Sequence, residues 1–164
     1  MLELYAQPYN INATGYYFDT ADRFDEKAGN CFDAYGMKVE EFEIQFIDGD
    51  AINAELFRAW GVHQANVHQF LEAANGLDEH EKLALIAMAR CGYTIDGHIN
   101  TGDVVLHYCN DLKELAMQFI EDGLYGEFPE SLSHYIDYDA IARDLGMEYK
   151  ELSVGGQTVI YRCP

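Results

Sequence analysis

Residues 148–163 read EYKELSVGGQTVIYRC, and this stretch decides the fold class. EYKELS and TVIYRC have strand character and are joined by VGGQ, whose paired glycines suit a tight hairpin turn. The chain is therefore expected to contain antiparallel sheet. Moving back from the hairpin, VVLHYC (104–109) is a further strand candidate, and Asn110 or Asp111 starts a helix through Ile120 that Gly123 ends. Pro129 precedes a short helix over Glu130–Tyr135. Asp137 then occupies an N-cap position before a helix over Tyr138–Leu145, closed by Gly146.

The other end of the chain has a similar mixture. LELYA (2–6) alternates as a strand, the Pro8–Gly15 region turns, and GYYFD (15–19) returns. Thr20 or Asp22 caps a helix predicted to run to about residue 34, with Phe24, Ala28 and Phe32 at fourfold spacing. VEEFEIQF (39–46) then places Phe42, Ile44 and Phe46 on one strand face and Glu41, Glu43 and Gln45 on the other. Between the two ends the periodicity is helical. Asn53 is the expected cap of a helix carrying Leu56, Phe57 and Trp60; Gln64–Ala74 carries Val67, Phe70 and Leu71; Asp78 caps a third helix with Leu83, Ile86, Ala87 and Arg90 on one side. The fold class is α+β, with antiparallel sheets at both ends and a helical middle. The expected modules are 1–50, 51–92 and 93–164, the last a candidate dimerisation region.

A formal charge of −19, from 29 acids against 10 bases, bounds the function. A hydrophobic fraction of 49% with twelve Tyr and nine Phe is too apolar for a disordered acidic chain. The acids occur throughout the sequence and form no block of five or six like charges, so the charge belongs to a whole surface and not to a tail. Such a field repels nucleic acid and anionic membranes and attracts basic surfaces. No run approaches the roughly 18 apolar residues of a membrane span. The cysteines at 31, 91, 109 and 163 have no CxxC spacing and follow no secretory leader pattern, which points to reduced thiols in the cytoplasm.

Catalytic and metal chemistry find little support. Asp96, His98, His107, His134 and Asp137 are the candidates for a metal or hydrolytic centre, but no HExxH or paired-cysteine frame accompanies them. His63 and His68 are five positions apart, about 140° around a helix, a poor arrangement for paired ligands. Ser131 and Ser133 lie at a helix start without a GxSxG elbow, and Cys91 or Cys109 beside His107 is adjacency in sequence only. Gly155 and Gly156 serve a hairpin better than a phosphate loop. No enzyme, cofactor or metal is expected. Tyr5, Tyr9, Tyr16 and Tyr17 are candidates for base stacking, but the scattered bases provide no positive groove for direct nucleic-acid binding.

The opposite polarity remains: an acidic partner for a basic, DNA-binding protein. Two copies of the chain carry twice −19, or −38. At the charge density of B-DNA this corresponds to about 19 base pairs, or about 65 Å. The charge therefore permits DNA mimicry.

A resemblance adds to this reading. Gly123, Leu124, Tyr125, Gly126, Glu127, Pro129, Leu132, Tyr135, Ile136, Asp137, Tyr138, Arg143, Asp144 and Leu145 together resemble the C-terminal region of the ArdA antirestriction proteins. LYAQPYNINATGYYFD (4–19) resembles that family's opening strand, polar turn and returning aromatic strand, with Tyr17 or Phe18 at a tryptophan-like position. The resemblance covers most of residues 2–162. It implies a non-catalytic protein that imitates bent B-form DNA and occupies the DNA-binding cleft of type I restriction-modification enzymes. It also implies an elongated, modular shape, a homodimer formed through the C-terminal region, and carriage on plasmids or conjugative elements.

On this combined reading, the DNA-mimic surface candidates are Asp22, Asp25, Glu26, Glu41, Glu43, Asp48, Asp50, Glu72, Asp78, Glu79, Glu81, Asp111, Glu114, Glu121 and Asp122. Tyr125, Phe128, Leu132, Tyr135, Asp137, Tyr138 and Arg143 are fold or dimer candidates, with Arg143 expected to pair with Asp139 four positions earlier. The rivals are an acidic inhibitor of some other DNA-binding protein and, ranked lower, a small hydrolase.

Overall fold

The hairpin forms as its sequence dictates. In the computed structural model, which describes residues 1–95 and 101–164, strand β5 (Lys150–Val154) pairs antiparallel with β6 (Gln157–Arg162), and Val154 faces Gln157 across the turn. Gly155 and Gly156 sit at φ +60° and +86°, the left-handed region open to glycine at little cost. Strand β4 (Val105–His107) adds to the other side of β6, giving an antiparallel sheet of order β4-β6-β5.

Two helices pack with this sheet. Helix α5 (Leu112–Glu121) is capped by Asp111, whose carboxylate accepts the Glu114 N–H, and α6 (Tyr138–Leu145) by Asp137, which accepts the Ala140 N–H at 2.9 Å. Their apolar faces meet in a core of Cys109, Leu115, Ala116, Leu145, Tyr149 and Ile160, with Phe119, Tyr138 and Ile141 against it. Single 3₁₀ segments cover Thr101–Asp103 and Glu130–Tyr135. These elements belong to one compact unit, Asn100–Pro164.

The other compact unit is Met1–Ile99. Its sheet has order β2-β1-β3, from β1 (Glu3–Pro8), β2 (Tyr16–Phe18) and β3 (Phe42–Asp48), all antiparallel. Strand alternation turns Leu4, Ala6, Phe18, Phe42 and Ile44 inward. Helix α1 (Ala21–Gly29), capped by Thr20, lays Phe24 against that face, with Phe18 and Phe24 ring centroids 4.9 Å apart. Gly15 carries a specific constraint: a Cβ there would run into the Ala6 carbonyl oxygen and the Tyr5 ring.

Helices α2 (Ala51–Trp60), α3 (Val67–Gly76) and α4 (Glu79–Arg90) complete this unit. Phe57 links β3 to α3, with centroid distances of 5.7 Å to Phe46 and 5.4 Å to Phe70. α4 opens with a capping box in which Asp78 and Glu81 accept each other's backbone N–H groups. The chain is thus α+β, with a sheet near each end and helices between.

Four local expectations are corrected. α1 stops at Gly29 and does not reach residue 34; Phe32 is exposed and takes part in a bridge with Lys38. The N-cap of α2 is Asp50, while Asn53 is buried in the first turn with its N–H donated to Asp50. α3 begins at Val67 because Gln64 is used elsewhere: its amide accepts the Phe42 N–H and donates to the Glu40 carbonyl, continuing the sheet edge. Asp139 pairs with Lys113 of α5 at 3.0 Å, and Arg143 makes no ion pair among the described residues.

Candidate functional site

The nominated carboxylates emerge from elements whose opposite faces build the two cores. α1 presents Asp22, Asp25 and Glu26; β3 and the residues flanking it present Glu41, Glu43, Asp48 and Asp50; α3 presents Glu72. Asp78, Glu79 and Glu81 open α4, Asp111 and Glu114 open α5, and Glu121 and Asp122 close it. All are exposed except Glu81 and Glu114, which are half-buried because each folds back onto its own helix start.

These acids divide by what they touch. Asp50, Asp78 and Asp111 are N-caps, accepting backbone N–H groups at 2.7, 2.9 and 2.8 Å. A carboxylate at this position satisfies an otherwise unpaired backbone N–H and complements the positive end of the helix dipole. Asp48 accepts the Gly49 N–H, Glu43 accepts the Gln45 amide at 3.2 Å, and Asp25 meets His68 Nε2 at 2.9 Å. Among the described residues, no side-chain hydrogen bond or ion pair engages the carboxylates of Asp22, Glu26, Glu41, Glu72, Glu79, Glu121 or Asp122. Their charge is directed at solvent.

The available cations are largely taken. Arg23 pairs with Asp19, Arg58 and Arg90 with Glu55, Lys113 with Asp139 and Arg162 with Glu148. Lys27 and Lys82 donate to the carbonyls of Tyr17 and Ala74. These pairs consume acids outside the nominated set, so the nominated carboxylates keep their collective charge. A further acid escaped sequence reading: Asp33 accepts the N–H groups of Met37 and Tyr35 and the Asn10 amide, which together hold its carboxyl below the ordinary range, the Met37 bond foremost. The signal was the Asp33–Gly36 turn, with Asp at the first position and Gly at the fourth.

The residues considered for chemistry are dispersed. Asp96 and His98 lie outside the described residues. Among the described residues, no group of three or more His, Cys, Asp and Glu could hold a metal ion. His63 Nδ1 accepts the Ala65 N–H, and Ser133 Oγ donates to the Glu130 carbonyl as part of its 3₁₀ segment. An open cleft of about 590 Å³ is lined by Tyr16, Lys27, Asn30, Cys31 and neighbours, but burial pushes both the Cys31 thiol and the Tyr16 phenol up. Neither would ionise readily as a nucleophile. Cys31 and Cys109 are free and buried, and burial raises the Cys109 pKa to about 11, whereas Cys91 and Cys163 are disulfide-bonded, which corrects the expectation of reduced thiols at those two positions.

The fold or dimer candidates fall into two environments. Tyr138 packs on the C-terminal core and Asp137 caps α6, whereas Tyr125, Phe128, Leu132 and Tyr135 are exposed. Arg143 lines an open groove with Asp137 and Asp139. No helix is long and apolar enough to cross a membrane among the described residues.

No curated protein matches the chain. The family model described as antirestriction protein (ArdA) matches residues 9–158, which reach into both units and include all of the nominated surface acids. The chain therefore belongs to the ArdA family of antirestriction proteins, which act as non-enzymatic DNA mimics.

Proposed function

We propose that the protein occupies the DNA-binding cleft of a type I restriction-modification enzyme and so denies it DNA. The observation that carries this reading is the set of solvent-directed carboxylates in both units, which retain their charge because the cations pair elsewhere. A cleft lined by Lys and Arg exchanges its counterions for such charge as it does for phosphate. The contact should be distributed, since individual exposed ion pairs contribute little and a strip contributes collectively.

The active species in this proposal is a cytoplasmic homodimer joined through the C-terminal region. Leu124, Tyr125, Phe128, Leu132, Tyr135 and Met147, all large and exposed, support that assignment, because burying them against a second copy would remove apolar area from water.

Titration of the purified protein into a type I methyltransferase–DNA complex at several salt concentrations tests the reading. Displacement of DNA that weakens as salt rises is expected. Failure to displace DNA from a demonstrably active enzyme would remove that enzyme as the target. Displacement from an unrelated DNA-binding protein alone would favour a different acidic-inhibitor role.

A further inference from the structure

The tyrosines of the first two strands separate by face. Tyr16 points inward, with its ring 5.4 Å from Phe42 and 6.3 Å from Phe24. Tyr5 and Tyr17 are direct cross-strand partners on the opposite face, with ring centroids 4.8 Å apart and planes inclined at 56°. Tyr17 is 53% exposed. Gly15 permits this arrangement, because a side chain there would strike the Tyr5 ring.

The same outer face carries Glu3 and Gln7 from β1 and Glu43 and Gln45 from β3. Gln45 lies opposite Tyr5 and Glu43 opposite Gln7, so Glu43 stands diagonal to Tyr5, an offset of roughly 7–8 Å that long side chains bridge. Strand alternation places no Lys or Arg on this face. It combines an aromatic pair with carboxylates and amides on a rigid sheet. A planar guanidinium is suited to all three, because it stacks on aromatic faces, forms several directed hydrogen bonds and is more weakly hydrated than an ammonium.

We infer that the outer face of the β2-β1-β3 sheet is a docking surface for arginine side chains of the protein's DNA-binding partner, with Tyr5 and Tyr17 as the stacking platform and Glu43 and Glu3 as counter-charges. The choice of partner rests on the DNA-mimic reading, and charge complementarity fixes the occupant as basic. The aromatic pair makes it arginine-bearing rather than merely cationic. The face thus adds a chemically selective contact to an otherwise diffuse electrostatic surface.

The test uses the full-length protein and two short peptides of equal charge, one of alternating Arg and Gly and one of alternating Lys and Gly. Binding is followed by anisotropy at near-physiological salt and by amide chemical-shift mapping. The Arg peptide should bind about two- to fivefold more tightly, the range expected of an exposed cation–π contact, with shifts centred on Tyr5, Tyr17 and Gln45. Tyr17→Leu should remove that preference, while Glu43→Gln should weaken both peptides and leave the preference in place, with folding checked by the same spectra. Glu121→Gln with Asp122→Asn should weaken both peptides equally. Equal binding of the two peptides by the native protein, or an unchanged preference in folded Tyr17→Leu, would overturn the inference. The peptide result is independent of restriction-enzyme inhibition, so failure of the DNA-mimic reading would be seen separately in the displacement assay.

Discussion

Asp78 shows how a single residue serves two purposes that substitution can separate. Its carboxylate caps α4 and also adds to the acidic surface. Asp78→Ala removes both and should cost about 1 kcal/mol of stability, whereas Asp78→Asn keeps a competent cap and loses only the charge. Chemical denaturation should therefore separate the two variants, while a competition assay should show a similar, small loss of affinity in each. Gly15 provides a steric counterpart. Gly15→Ala would force Tyr5 and the β1 carbonyl apart, and thermal melting should show destabilisation beyond the ordinary effect of a surface Gly→Ala change.

At the level of elements, the C-terminal sheet contains a pH-sensitive packing arrangement. His107 of β4 lies against Phe119 and Tyr149, its buried Nε2 has no hydrogen-bond partner among the described residues, and burial followed by the nearby Arg162 lowers its pKa from the ordinary 6.5. Well above pH 6.5 the imidazole is neutral in both folded and unfolded chains. As pH falls below that value the unfolded chain takes up the proton first, and stability declines until the folded imidazole also titrates. Cys109 acts on the alkaline side: its thiol titrates at about 11 when folded against 9.0 when unfolded, so stability falls as pH rises through that interval. Amide exchange at Leu115 and Ile160 should be slowest between pH 6.5 and 9 after correction for intrinsic rates. His107→Phe should flatten the acidic side of that profile and leave the alkaline side in place.

α1 offers an element-scale test of the surface. Replacing Asp22, Asp25 and Glu26 together by Asn, Asn and Gln leaves the Thr20 cap and buried Phe24 untouched. The triple variant should bind its target more weakly and with a shallower salt dependence, while each single change has a small effect. A single substitution that abolished inhibition with the fold and assembly intact would contradict a distributed surface.

At the scale of the whole molecule, charge and self-association oppose each other. Each chain carries −19, so pairing two chains must overcome like-charge repulsion, and the exposed apolar residues of 124–135 are the proposed source of that attraction. Sedimentation should show a dimer that strengthens with added salt, because screening removes the repulsion and leaves apolar contact in place. Leu132→Asp with Tyr135→Glu should shift the protein toward monomer. Inhibition, being driven by acids against bases, should respond to salt in the opposite direction, so the two measurements separate assembly from target binding.

Much of this molecule was legible locally. The hairpin, the alternation of Phe42 and Ile44, and the caps at Thr20, Asp78, Asp111 and Asp137 all follow from contacts within a few residues, where backbone geometry leaves few choices. The net charge and the family resemblance are likewise properties of the chain itself. Contacts distant in sequence had to be read from the fold. Gln64 left its predicted helix to complete a strand edge 22 residues away, and Asp139 paired with Lys113 instead of its helical neighbour. Tertiary packing also decided which tyrosines became core and which became surface, and which acids were left facing water. Sequence by itself determined the elements and the sign of the surface. The arrangement of that surface depended on packing, because partners brought together by folding compete with those nearby along the chain.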